Sequence, residues 1–124
     1  MRLKMKMKMN DLAGVEYCYL TTTGRVTGNP HEIEIWFGVH ENTVYLMSGG
    51  GEKSDWVKNL AKNPSVTVKI ADRVFNATGY LEKDAEKERI VRTLLADKYN
   101  ERESDGSLSE WAQSALVVGL EIKN

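Results

Sequence analysis

Residues 48–64 read Ser-Gly-Gly-Gly-Glu-Lys-Ser-Asp-Trp-Val-Lys-Asn-Leu-Ala-Lys-Asn-Pro, and segments rich in β-branched residues lie on both sides of them. The three glycines, Gly49, Gly50 and Gly51, accept backbone conformations closed to other residues and let a ligand approach the main chain. Lys53 and Ser54 follow directly. This order places a glycine loop and a lysine between a strand and the start of a helix. Free backbone N–H groups at a helix N-terminus, with a lysine beside them, suit the binding of a phosphate or another anion.

The second half of this stretch predicts a short helix. Ser54 or Asp55 is a suitable N-cap, and Pro64 ends the helix because the residue before proline avoids helical geometry. The apolar positions between them are Trp56, Val57, Leu60 and Ala61. The glycines also allow a second interpretation, a flexible turn with a solvated lysine. The spacing matches neither the phosphate loop of nucleoside triphosphatases nor the dinucleotide fingerprint.

Composition limits the class of protein. The chain has 124 residues, 41% hydrophobic and 28% charged, which fits one soluble globular domain. A net charge of −1 argues against a nucleic-acid binder that depends on overall charge. No apolar run approaches the roughly 20 residues that span a bilayer, so we expect no stable membrane insertion. The only cysteine, Cys18, fits a reducing cytoplasm.

Alternating apolar residues predict six antiparallel strands. They cover residues 15–22, 31–40, 43–47, 65–71, 74–81 and 115–122. A long amphipathic helix is expected over residues 84–99 and a helical turn over residues 109–113. The links between strands are too short for parallel crossovers, so we predict a mainly β fold, a six-stranded split β-barrel with inserted helices. Residues 1–12 form an N-terminal arm in this interpretation, and residues 13–124 form a single domain.

The predicted strand over residues 31–40 has two unlike faces. One carries Ile33, Ile35, Phe37 and Val39 and belongs to the core, whereas the other carries Glu32, Glu34, Trp36 and Gly38. The acidic face is either solvated, with Trp36 at a subunit contact, or the wall of a ligand pocket. His31 and His40 fall on opposite faces, so we predict no metal site.

Two motifs resemble the deazaflavin-dependent nitroreductases and quinone reductases. The first is Leu20-Thr21-Thr22-Thr23-Gly24-Arg25-Val26-Thr27-Gly28, and the second runs from Ser48-Gly49-Gly50-Gly51 through Lys53 and Trp56-Val57-Lys58-Asn59-Leu60 to Asn63-Pro64. The order of elements also resembles the wider split-barrel superfamily of pyridoxamine-phosphate oxidases, which bind flavin mononucleotide (FMN).

The resemblance implies an oxidoreductase that uses the deazaflavin coenzyme F-420 to reduce a quinone, a nitro compound or an activated enone. It implies that Lys53, Ser54 and Arg25 hold the phosphate and acidic tail. Residues 48–51 would lie along the ring, and Trp56 would position the loop and the ring edge. In such enzymes the coenzyme carries the hydride chemistry, and the protein supplies binding and orientation.

Several alternatives stay open at this point. The same barrel could hold FMN, or it could be a non-catalytic barrel that binds a flavin or haem. If a protein acid takes part, the candidates are Tyr17, Tyr19, Tyr45, Tyr80 and Ser48. Small split barrels often pair, and the aromatic residues Trp36, Tyr45 and Trp111 favour a homodimer.

Overall fold

In the computed structural model, which describes residues 9–123, seven strands and three helices follow one another along the chain. The strands are β1 (Cys18–Thr23), β2 (Pro30–Ile35), β3 (Gly38–His40), β4 (Thr43–Ser48), β5 (Ser65–Ile70), β6 (Arg73–Leu81) and β7 (Leu116–Ile122). The helices are α1 (Asp55–Lys62), α2 (Ala85–Tyr99) and α3 (Glu110–Ser114). Short 3-10 turns cover Met9–Leu12 and Gly51–Lys53.

The seven strands form one antiparallel sheet in the order β2-β1-β5-β6-β7-β4-β3. Strands β2 and β3 lie at opposite edges of this sheet, yet only Trp36 and Phe37 separate them along the chain. Two linking residues reach only about 10 Å, so the sheet must curl until its two edges meet. The result is a mainly β, antiparallel split barrel, as the sequence predicts.

The prediction of six strands is wrong by one, because residues 31–40 form two strands rather than one. At Trp36 and Phe37 the chain leaves β1, the partner of β2, and joins β4, the partner of β3. Residues at the end of α2 hold the break. Tyr99 accepts a hydrogen bond from the Phe37 N–H at 3.0 Å, and Lys98 Nζ donates to the Phe37 carbonyl at 2.9 Å. These contacts replace the ladder bonds that a continuous strand would make.

The barrel interior is the main hydrophobic core, and its largest fully buried side chains include Phe37, Leu20, Leu46, Ile70 and Leu120. Leu60 of α1 reaches into this core and lies against Gly79 of β6, where any Cβ would collide with it. Helix α2 covers the outside of the barrel with Val91 and Leu95, which contact the other faces of β4 and β7.

The start of the described chain contacts the barrel directly. Met9 is buried in the main core, and its N–H donates to Asn42 Oδ1 at 3.1 Å. Asn42 and Glu41 both adopt positive φ values, 65° and 49°, in the tight turn between β3 and β4. Residues 1–8 of the predicted arm lie outside the described residues. The division between an arm and a domain therefore stays a prediction.

Candidate functional site

The glycine loop connects β4 to α1 and is closed by two serines. Ser48, the last residue of β4, is buried, and its hydroxyl donates to the Gly51 carbonyl at 3.0 Å. Ser48 Oγ also lies 2.7 Å from Ser54 Oγ. A hydroxyl has one proton, so Ser54 donates in this pair. Both predicted site residues therefore fix the shape of the loop.

Two of the glycines are needed for the shape of the loop, one for its backbone conformation and one for the close approach of Ser54. Gly51 has φ +63°, a left-handed conformation that strains other residues, and a Cβ on Gly50 would lie 2.6 Å from Ser54 Oγ. Gly49 and Gly50 are exposed at the surface. Their backbone is therefore accessible to a flat ligand in a loop whose conformation the serines already fix.

Basic side chains outnumber acidic ones around the loop and α1. Lys53, at the end of the 3-10 turn, is exposed, and its side chain makes no hydrogen bond or ion pair within residues 9–123. Glu52 lines a shallow cleft together with Arg25, Lys58 and Lys62. The region around the loop and α1 therefore contains four cations and two carboxylates, namely Arg25, Lys53, Lys58 and Lys62 against Glu52 and Asp55. That balance suits an anionic ligand.

Arg25 fastens the turn between β1 and β2 to helix α1. Its N–H and its Nη1 both donate to Asn59 Oδ1, at 3.1 and 2.7 Å, and its Nη2 contacts Asp55 Oδ1 at 3.2 Å. Asn59 Nδ2 donates in turn to Thr22 Oγ1 at 3.3 Å. The first motif of the sequence is thereby bonded to the helix that lies within the second motif. The remaining N–H groups of the guanidinium are available to a ligand.

A cleft of about 500 Å³ lies where these two motifs meet. Arg25 and Trp56 line it together with Thr22, His31 and Glu32. The predicted site residues thus fall into two adjoining groups, with Arg25 and Trp56 in the cleft and residues 48–54 in the loop beside the N-terminus of α1. The serine and glycine members of the loop do not line the cleft.

The candidate acids differ in accessibility. Tyr45 is only 2% exposed, and burial raises its pKa far above the usual value. The Tyr19 hydroxyl donates to Glu34 at 3.0 Å, and this hydrogen bond raises the pKa of Tyr19. Tyr80 lies across Gly119 on β7. Tyr17 is 38% exposed and lines a second cleft.

Sequence reasoning did not single out Asn59, although it is the centre of this arrangement. Asn59 is 5% exposed, and its amide joins the turn, the strand and the helix. The available signal was a polar residue between Trp56 and Leu60 on the apolar face of a short helix. A buried polar side chain needs partners, and here they are Thr22 and Arg25 of the first motif.

Across residues 9–123, His, Cys, Asp and Glu side chains form no group of three suited to a metal ion. None of the helices in the same part of the chain combines the length and the hydropathy needed to cross a bilayer.

Comparison with solved structures identifies the class of fold. A structure described as a pyridoxamine 5′-phosphate oxidase of Listeria innocua is 22% identical with a TM-score of 0.66, covering 94% of this chain and 90% of that one. A conserved hypothetical protein of Mycobacterium tuberculosis is 17% identical with a TM-score of 0.75, covering 96% and 81%. A reductase described as F420H2-dependent is 21% identical with a TM-score of 0.66, covering 85% and 93%. The protein is thus a split barrel of the pyridoxamine-phosphate-oxidase type.

The family follows from the sequence itself. The family model described as F420H2-dependent quinone reductase matches residues 2–108, most of the chain. The chain therefore belongs to the F420H2-dependent quinone reductase family, and it is an oxidoreductase of the class that uses reduced coenzyme F-420 (F420H2). The resemblance carried by the two motifs is confirmed.

Proposed function

We propose that the protein binds reduced coenzyme F-420 at the glycine loop and transfers a hydride to a quinone, a nitro compound or an activated enone. The observation that carries the proposal is the glycine loop, whose shape Ser48 and Ser54 fix and after which comes Lys53, with a side chain that has no partner among residues 9–123. The chain that carries this loop belongs to the quinone reductase family. When bound, the coenzyme supplies the hydride; the protein supplies its placement.

The residues present fit such a coenzyme. Exposed backbone at Gly49 and Gly50 suits a flat ring, and Lys53 suits a phosphate or carboxylate. The excess of basic side chains around α1 suits an acidic tail. The proposed binding set is Arg25, Ser48, Gly49, Gly50, Gly51, Lys53, Ser54 and Trp56. Within it, Ser48, Ser54 and Arg25 chiefly hold the loop and the turn in place.

The first test is a fluorescence titration of the protein with F-420 and, separately, with FMN. Replacing a lysine that contacts a phosphate removes a charge-assisted hydrogen bond, so Lys53→Ala should weaken F-420 binding about tenfold to a hundredfold. Lys87→Ala removes the same charge from α2, where it is exposed, and serves as the control. Equal effects of the two variants would contradict the assignment of Lys53.

The same titration separates the alternatives. Tighter binding of FMN than of F-420 would support the same binding site but identify FMN as the coenzyme. Binding of F-420 without consumption of its reduced form in the presence of a naphthoquinone, a nitroimidazole or a cyclic enone would indicate a binding protein. Turnover of one of these acceptors would identify the substrate class.

We also propose that two copies of the chain associate. Val74 on β6 leaves its apolar side chain 60% exposed, and burial of that side chain between two copies would favour association. Tyr45 offers no support for this proposal, because it is buried within its own chain and donates to Glu82 at 3.1 Å. Sedimentation of the wild type and of Val74→Asp at several concentrations checks the association.

The cellular and domain assignments also stay predictions. A cytoplasmic location is supported by the free, buried Cys18. A single domain over residues 13–124 is supported by the barrel, which runs from β1 to β7. Cell fractionation and limited proteolysis check the two predictions.

A further inference from the structure

A second cleft, of about 450 Å³, lies at the break between β2 and β3. Its walls include Tyr17, Glu34, Trp36, Met47, Glu101 and Trp111. It adjoins the glycine loop, because Met47 immediately precedes Ser48 and a Cβ on Gly49 would lie 3.4 Å from the Trp111 ring. A molecule in this cleft would therefore sit next to the proposed coenzyme site. Neither predicted motif includes its aromatic walls.

The aromatic walls are held rigidly. Trp36 stacks on Tyr99 with ring centroids 4.2 Å apart and meets Trp111 at 85° with centroids 5.5 Å apart. The Tyr99 hydroxyl donates to the Glu16 carbonyl at 2.7 Å and accepts from the Phe37 N–H at 3.0 Å, which fixes the stack to the backbone. Two indoles at a right angle form a corner that receives a planar ring, one face on one wall and an edge on the other.

The charge of the cleft is negative. Glu34 and Glu101 line it, and no lysine or arginine does so among the described residues. Glu34 accepts one hydrogen bond, from Tyr19, and the Glu101 carboxylate makes none within residues 9–123. Lys98 Nζ, which lies 5.1 Å from the centre of the Tyr99 ring, donates to the Phe37 carbonyl and lies 3.8 Å from the centre of the Phe37 ring. It is therefore already engaged with the barrel.

We propose that this cleft binds a planar aromatic cation, stacked in the corner of the two indoles and attracted by the two carboxylates. Aromatic faces and carboxylates both favour positive charge, and a cation over an indole gains further attraction. The inference goes beyond the proposed function, since the acceptors named there are uncharged and the cation would occupy a separate site beside the glycine loop. Anionic rings of the same size are excluded by repulsion.

The test is calorimetric binding of three two-ring compounds without any coenzyme. N-methylquinolinium is the cation, quinoline the neutral analogue and 2-naphthoate the anion. The cation should bind about tenfold more tightly than quinoline, and 2-naphthoate should bind more weakly than either. No coenzyme is present in this test, so it can fail while F-420 still binds at the glycine loop. Equally, F-420 can fail to bind while the cation still binds in this cleft.

Charge variants identify the cleft as the site. Glu34→Gln and Glu101→Gln preserve side-chain size, and each should weaken N-methylquinolinium binding about threefold while leaving quinoline unchanged. Glu103→Gln, which removes an exposed carboxylate outside the cleft, should have no effect. Circular dichroism verifies that the variants are folded. Tight binding of 2-naphthoate, no binding of any ring, or equal effects of all three variants would overturn the proposal.

Discussion

Asn59→Ala tests whether the site depends on the link between the first turn and α1. The Asn59 side chain accepts two hydrogen bonds from Arg25 and donates one to Thr22, and it is almost fully buried. Alanine removes all three bonds at once. It also leaves the Arg25 backbone N–H without its partner at the start of the turn.

The size of the effect follows from the kind of each bond. The guanidinium bond contributes about 1.5 kcal/mol, the backbone bond about 1, and the longer bond to Thr22 about 0.5. The higher helix propensity of alanine offsets about 0.5 kcal/mol of this loss. The expected loss in the free energy of unfolding is therefore about 2.5 kcal/mol. A chain of 124 residues has an unfolding entropy of about 260 cal/mol/K, so the melting temperature should fall by about 10 °C.

Urea denaturation and thermal unfolding, both followed by far-UV circular dichroism, measure this change. Asn59→Asp keeps both acceptor contacts with Arg25, loses the donation to Thr22 and buries a carboxylate that the Arg25 guanidinium neutralises, so it should cost less than Asn59→Ala. Lys58→Ala, on the exposed face of the same helix, should change the free energy of unfolding by less than about 0.5 kcal/mol. If Asn59→Ala costs less than about 1 kcal/mol, or no more than Asn59→Asp, the turn is not held as described.

Three further predictions follow from single contacts. Burial lowers the pKa of Lys98 from 10.5 to about 8, so the contribution of Lys98 to the free energy of unfolding should rise with pH from about pH 8. Burial raises the pKa of Cys18 from 9.0 to about 12, so the contribution of Cys18 should fall as the pH rises above 9. Urea denaturation of the wild type and Lys98→Met at pH 8 and 9 should show the rise only in the wild type. Gly50→Ala should displace Ser54 and weaken F-420 binding several-fold, with far-UV circular dichroism unchanged; unaltered binding would contradict the role of the loop. Asp84→Ala removes the N-cap of α2 and should lower the melting temperature by about 4 °C, whereas Asp84→Asn keeps the cap and should not.

Most of the barrel could be predicted because its strands alternate on a period of two. In β5, Val66, Val68 and Ile70 are buried, as the alternation indicates. The break at Trp36 could not be predicted, because residues 31–40 keep the same alternation across it. What interrupts the strand is the end of α2, more than 60 residues later in the chain, and local pattern carries no information about that contact.

The sequence also predicted where the glycine loop and Lys53 lie, but not how the loop is closed. A hydroxyl can bond to several neighbours, and only the folded chain shows that Ser48 and Ser54 bond to each other. The same holds for Arg25, which the family resemblance assigned to an anion and which the structure shows bonded to Asn59 and Asp55. Arg25 stays a proposed member of the binding set, and its bonds to Asn59 and Asp55 give it a positioning role.

By itself, the sequence determined the antiparallel β class, the glycine loop, the turns and the family, because each depends on residues close together in the chain. The tertiary structure decided the closure of the barrel, the buried Asn59 and the acidic aromatic cleft. These depend on residues brought together from distant parts of the chain, such as Trp36 and Trp111. Such pairings are set by the packing of whole elements, so they become visible only when the sheet has curled and α2 has covered it.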